Sequence, residues 1–274
     1  MSTKEIHDLM TSVGIPEILD DPDALATLSD ESMEKLLLAR QLAAQAVEQH
    51  STDGVLIDLL YTAHMSVTSA RYLHAVLAAG EPVNAPSPAD LIRLWSGDPL
   101  RIVDKGAVRD LVASTVTIDT LTKSGLPAEA EPLLSFTAEP KRLTDAEQIE
   151  AGEDDYASYF DAYWVIGATE QDDVVAIDER ADGVVVVLDR DWGFFAMQYM
   201  NASVAHLLLT LQAFADMLDS VDPETMAEHF PNIVVPEHQR MTFIAKVEGI
   251  DPGAMAEGSF WYEEVAALAA PSAD

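Results

Sequence analysis

Residues 163–195, YWVIGATEQDDVVAIDERADGVVVVLDRDWGFF, constrain the fold more than any other part of the chain. Apolar β-branched and aromatic runs at Tyr163 to Thr169, Val174 to Asp178, Gly183 to Asp189 and Phe194 to Met200 alternate with the polar breaks EQDD, ADG and DWG. That is the pattern of strands joined by tight turns. Connections this short cannot carry a parallel crossover, so each strand must pair antiparallel with the next. VVAID and VVVVLD are apolar almost throughout, which predicts central strands covered on both faces. The chain then changes to helical spacing. Asn201 is the expected cap of a helix running to about Asp219, with Val204, Leu207, Leu208, Leu211, Phe214, Ala215 and Leu218 on its buried side.

The first hundred residues read as three helices. Ser29 is a candidate N-cap followed by Asp30 and Glu31, with Met33, Leu36, Leu37, Ala43, Ala44 and Val47 at helical spacing. A second stripe, Leu56, Leu59, Leu60, Ala63, Val67, Ala70, Leu73 and Leu77, stops at Gly80 with Pro82 beyond. In SPADLIRLWSG, Ser87 caps, Pro88 opens the helix, Asp90 answers the cap and Gly97 ends it. The segment GDPLRIVDKG, 97–106, interrupts this pattern and divides a helical region, 1–103, from a second region, 104–274. In the latter a helix ends at Gly125 with Pro127 beyond, an apolar run ends at Phe136, and FWYEEVAALAA is a last short helix. The expected fold class is α+β: a mainly antiparallel sheet with flanking helices, preceded by an α-helical N-terminal region.

The chain carries 48 acidic and 15 basic residues, a formal charge of −33. Nucleic acid and anionic membrane are therefore poor partners. No apolar run is long enough to span a bilayer and no basic-then-apolar start suggests export, so a cytoplasmic protein is expected. Zero cysteines remove disulfides, thiol catalysis and thiolate metal sites. The acids are spread almost uniformly: 15 against 5 bases in residues 1–100, 21 against 8 in 101–200, and 12 against 2 in 201–274. Uniform acidity with six lysines fits adaptation to high salt better than one recognition patch. A cationic partner is the second reading. The two are compatible.

Chemistry-bearing motifs are sparse. NAS at 201–203 matches a glycosylation acceptor but reads better as a helix entry. DRDWG at 189–193 lacks the later ligands, glycine and closing glutamate of a calcium loop. His64 and His74 lie ten apart, and Glu228, His229, Glu237 and His238 lack the i, i+4 histidines of a zinc protease. No nucleophile elbow, Walker loop or dinucleotide fingerprint occurs. The expectation is no catalytic residue, no metal and no cofactor. The acidic run DAEQIEAGEDD, 145–155, reads as a solvated loop or helix face.

Six segments in order, LTKSGLP at 121–127, the strand ending at Phe136, WVIGA at 164–168, VVAIDERADGVVVVLD at 174–189, MNASVAHLLLTL at 200–211 and SFWYEEV at 259–265, resemble the SUKH superfamily, specifically its fourth immunity subgroup. The resemblance covers roughly 110–268. It implies an α+β fold and a non-enzymatic immunity protein that binds and occludes a polymorphic toxin, often a nuclease or deaminase. Two other classes remain: a regulatory or scaffold protein of the same superfamily, by analogy with its eukaryotic founder in cell-wall signalling, and an enzyme with a dispersed active site. For a basic toxin domain, the expected contact surface is the acids on the meander's turns and strand ends: Asp172, Asp173, Asp178, Glu179, Asp182, Asp189 and Asp191. Trp192 is the aromatic anchor among them.

If the acidity is a high-salt adaptation, Tm rises steadily from dilute to molar KCl, because the Debye length falls to about 3 Å near 1 M and screens the self-repulsion. A flat or falling Tm over that range sinks the reading.

Overall fold

The computed structural model describes residues 3–15, 21–49, 53–94, 100–149, 156–222 and 233–269. Helices α1 (Thr3–Val13), α2 (Pro22–Ala26), α3 (Asp30–Gln49), α4 (Gly54–Leu77) and α5 (Pro88–Leu94) come first. The expected caps are in place. Ser29 Oγ accepts the Ser32 amide at 3.2 Å, and Ser87 Oγ accepts the Asp90 amide while donating to the Asp90 carboxylate at 2.7 Å. Asp53 caps α4 by accepting the amides of Val55 and Leu56. Helices α1 and α2 were not expected; they bury Ile6, Met10 and Leu25. Gly97, the expected end of α5, lies outside the described residues.

A short helix, α6 (Thr115–Asp119), runs into a π-turn, Thr120–Ser124, which Gly125 ends at φ +77°. A β-carbon there would fall against Ile102, Arg101 and Leu100, so glycine fits both the left-handed backbone and the close approach. Then come β1 (Glu129–Ala130), β2 (Leu134–Arg142), α7 (Leu143–Ala146) and α8 (Tyr156–Phe160). The meander follows as β3 (Tyr163–Thr169), β4 (Val174–Asp178), β5 (Val184–Leu188) and β6 (Met197–Asn201), and the chain closes with α9 (Val204–Asp219), α10 (Glu237–Ile250) and α11 (Phe260–Ala267). The six strands form one sheet in sequence order, every pair antiparallel.

Two local expectations shift. Strand β6 starts at Met197 rather than Phe194 because residues 189–196 fold back on themselves. The Asp189 carboxylate accepts the Trp192 amide at 3.1 Å, the Asp189 carbonyl accepts the Phe194 amide at 2.8 Å, and Gly193 and Phe194 take positive φ. The cap of α9 is Ser203, whose Oγ accepts the His206 amide; Asn201 is instead the buried last residue of β6.

Every residue of β4 and β5 is buried, as their continuous apolar character predicts. Pairing fixes which side chains share a face. Asp178 and Ala176 lie with Val184, Val186 and Tyr199, while Ile177 lies with Val185 and Asn201. The end of α4 meets the first face, where Tyr72 Oη donates to Asp178 Oδ2 at 3.3 Å. Helix α9 meets the second, where Asn201 Nδ2 donates to Thr210 Oγ1 at 3.1 Å. Two apolar clusters result. One is built by α1 to α4, and the other joins the sheet, α9, α10 and α11 to Tyr72 and Ala75 of α4. Helix α4 thus supplies side chains to both.

That sharing sets the outcome of limited proteolysis at the proposed division near residue 103. Chain nicked within 97–106 is expected to stay together in native gel filtration, because α4 remains packed on the sheet. Separation into two folded fragments would make 1–103 and 104–274 independent units.

Candidate partner-binding site

The meander sorts the eight candidate residues by position. Antiparallel strands put the β3–β4 turn and the β5–β6 loop at one end of the sheet and the β4–β5 turn at the other. Asp172, Asp173, Asp189, Asp191 and Trp192 therefore gather at the first end, and Asp178, Glu179 and Asp182 at the second. Five-residue strands separate the two ends by roughly 17 Å.

The second end is mostly committed to structure. Asp178 is 2% exposed. Its Oδ1 accepts Arg180 Nε at 3.0 Å and the Arg180 amide at 2.9 Å, and its Oδ2 accepts Tyr72. The Arg180 guanidinium also donates to Tyr163 Oη and lies 4.4 Å over the Tyr159 ring. Burial, reinforced by Asp178, pushes the Tyr72 phenol well above its usual range. Glu179 is equally occupied: its carboxylate accepts the Val112 amide at 2.8 Å, Trp164 Nε1 at 2.7 Å and Arg142 Nη1 at 3.1 Å. Asp182 is exposed in the left-handed turn before Gly183.

The first end presents charge on a braced frame. Arg190 donates Nη1 to Glu147 Oε2 at 2.5 Å and Nε to the Asp172 carbonyl at 3.0 Å, while its amide donates to Asp173 Oδ1 at 2.9 Å. One arginine thus ties the β3–β4 turn, the β5–β6 loop and the segment after α7. The Asp172 side chain is 80% exposed, with its Oδ2 3.6 Å from Arg190 Nε, and Asp191 is exposed. Asp173 is partly desolvated, and that, with Asp189 and Asp191 nearby, raises its carboxyl despite the bond from the Arg190 amide.

Trp192 is half-buried and lies flat on His64 of α4, ring centroids 3.9 Å apart and planes 9° apart, with Tyr61 6.1 Å away. Its indole links the loop to the N-terminal helices. His64 Nε2 is buried without a hydrogen-bond partner, and desolvation, then Arg40, holds the imidazole below its ordinary pKa. Charge and turn composition did not reveal Glu147, Arg190 or His64 as parts of this end. The arginine inside an otherwise acidic turn is the one signal from which an internal clamp could have been read. Of the acidic run 145–155, residues 150–155 lie outside the described residues, as do Glu228 and His229. Among the described residues no His, Asp or Glu cluster could hold a metal, and no helix is long and apolar enough to cross a membrane.

A family model described as SUKH-4 immunity protein matches residues 87–268. The chain belongs to the SUKH-4 immunity protein family. No curated protein and no solved structure matches it. The SUKH-4 match starts at Ser87, the cap of α5, well before the first segment that carried the resemblance, and takes in the whole sheet, α9, α10 and α11. Both ends of the meander lie inside it, whereas His64 and Tyr61 do not.

Asp173 supplies a pH test of this SUKH-4 sheet end. A carboxyl raised in the folded state favours folding while protonated, so its contribution is complete below the ordinary value of about 3.9 and is lost as pH rises through the raised value. Asp173→Asn keeps an acceptor for the Arg190 amide and cannot ionise. It is expected to melt higher than the parent at pH 7 and level with it near pH 3; an equal or lower Tm at pH 7 would contradict this placement.

Proposed function

We propose that the protein is a non-enzymatic, cytoplasmic immunity protein that neutralises a polymorphic toxin of the nuclease or deaminase class by occluding it. Membership of the SUKH-4 immunity family supports a protein partner. The observation that carries the choice of surface is the gathering of Asp172, Asp173, Asp189 and Asp191 at one braced end of the sheet, beside the half-buried face of Trp192. Nucleases and deaminases present basic clefts to their nucleic-acid substrates. Carboxylates already held on short turns meet such a cleft with little further ordering, and their field mainly speeds association. Trp192 offers the large, rigid area typical of binding hot spots. In this reading Asp178 and Glu179 act indirectly, by stiffening the opposite end.

The test uses the partner recovered with this protein by pull-down. The double variant Asp172→Asn, Asp191→Asn is expected to associate about tenfold more slowly at low salt and to lose that difference as salt rises. Trp192→Ala should weaken affinity by about tenfold or more through faster dissociation. Asp182→Asn, at the far end, should match the parent. Parent-like kinetics for both near-end variants would remove this end as the contact surface.

A further inference from the structure

A cleft of about 410 Å³ opens where α3 and α4 face the end of β5 and β6, and its walls include Arg40, His64, Arg71, Asp173, Asp189 and Glu263. That volume lies within the range of small-ligand sites, about 300–1,000 Å³. Arg40 of α3 and Arg71 of α4 share it with Glu263, while Asp173 and Asp189 stand just beyond the paired Val174 and Leu188. The cleft therefore offers two guanidiniums, an aromatic wall of His64 stacked on Trp192, and a carboxylate pair.

Arg40 is the unusual member. Most of the other half-buried arginines are clamped to carboxylates, Arg142 to Glu179, Arg180 to Asp178 and Arg190 to Glu147, while Arg240 donates to the Val235 carbonyl. Among the described residues Arg40 has no ion pair or hydrogen bond, although the chain carries 48 acids. Its guanidinium is partly desolvated, with Arg71 acting against its charge and Glu263 in its favour, and its donors are open to an anion entering the cleft. Arg71 is held there by Glu257 and by its passage across Gly258, which has φ +82°; a β-carbon on Gly258 would fall 3.0 Å from Arg71 Nε. The site is thus built by elements distant in sequence and preset before any ligand arrives.

We propose that this cleft binds a small zwitterion of the amino-acid or dipeptide class, its carboxylate taken by Arg40 and Arg71 and its ammonium by Asp189 and Asp173. A pure anion would be repelled at the acidic end and a pure cation at the other, so the two charges together set the specificity. The site does not depend on the toxin-binding reading.

The test is a thermal-shift and calorimetric screen of the full chain with the common amino acids and glycylglycine. Ionic strength is held constant with KCl, because salt alone is expected to shift the Tm of so acidic a protein. At least one compound is expected to raise Tm saturably and to bind the parent. Its N-acetylated and its carboxamide forms, each lacking one charge, should bind roughly tenfold or more weakly. Arg40→Gln relieves a like-charge contact and should fold normally while losing binding by a similar factor. Asp189→Asn, which keeps the acceptor for the Trp192 amide, should do the same for the ammonium end. No saturable response from the panel, equal binding of the blocked forms, or an undiminished response in Arg40→Gln would each overturn the proposal.

Discussion

The carboxylate of Asp251 is fully buried with no cation beside it among the described residues, and much of the architecture is arranged around satisfying it. Tyr199 Oη donates to it at 3.1 Å, Asn201 Nδ2 at 3.2 Å, the Ala202 amide at 2.8 Å and the Gly80 amide at 3.2 Å. Removing a carboxylate from water costs several kcal/mol, which only a full set of donors can offset. The donors come from the loop after α4, from β6 and from the entry to α9, so satisfying one side chain fixes three segments against each other. Asn201 extends the network, accepting Trp261 Nε1 at 3.0 Å and donating to Thr210 of α9. Gly80 is confined for the same reason: a β-carbon there would press on the Ile250 and Asp251 backbone. Burial and the neighbouring carboxylate together raise the Tyr199 phenol.

The second buried carboxylate, Asp178, is satisfied in a different way. Arg180, two residues on, neutralises it, and Tyr72 reaches it from α4. Acidic residues of one short meander therefore fall into two physical classes. Asp178, whose period-2 position faces inward, and Glu179 on the following turn are structural ions, whereas Asp172, Asp182 and Asp191 on the turns are exposed. In a chain of net charge −33 the few arginines act mostly as clamps on such carboxylates, which is why bulk charge says little about where a partner would contact it.

Legibility follows the range of the interactions. Strands β3 to β5 and the caps at Ser29 and Ser87 could be read directly, because alternation and capping are local. Strand β1, two residues long, and helix α10, with apolar residues on no consistent stripe, carry too little local pattern. The burial of Asp178 was encoded: it shares a period-2 face with Val174 and Ala176 in a strand buried on both sides. Its partner Tyr72 lies 106 residues away, and that contact was not. The division of the candidate acids between two ends of the sheet also follows from the turn order alone, once antiparallel pairing is accepted. What no spacing could supply was the flat stack of Trp192 on His64, or the approach of Arg40 to the same cleft.

Those long-range contacts bear on what the helical region is for. A sheet whose central strands are buried on both faces needs two covers. Within the family match, α9 supplies one of them. The other comes in part from α4, which precedes the match and places Tyr72 against Asp178 and Ala75 within the sheet's core. The same helix carries His64 to Trp192 and thereby fixes the loop on which the exposed acids stand. A helix needed to close the core cannot be replaced without moving the loop, so the N-terminal region controls the shape of the acidic sheet end even where none of its own residues would touch a partner.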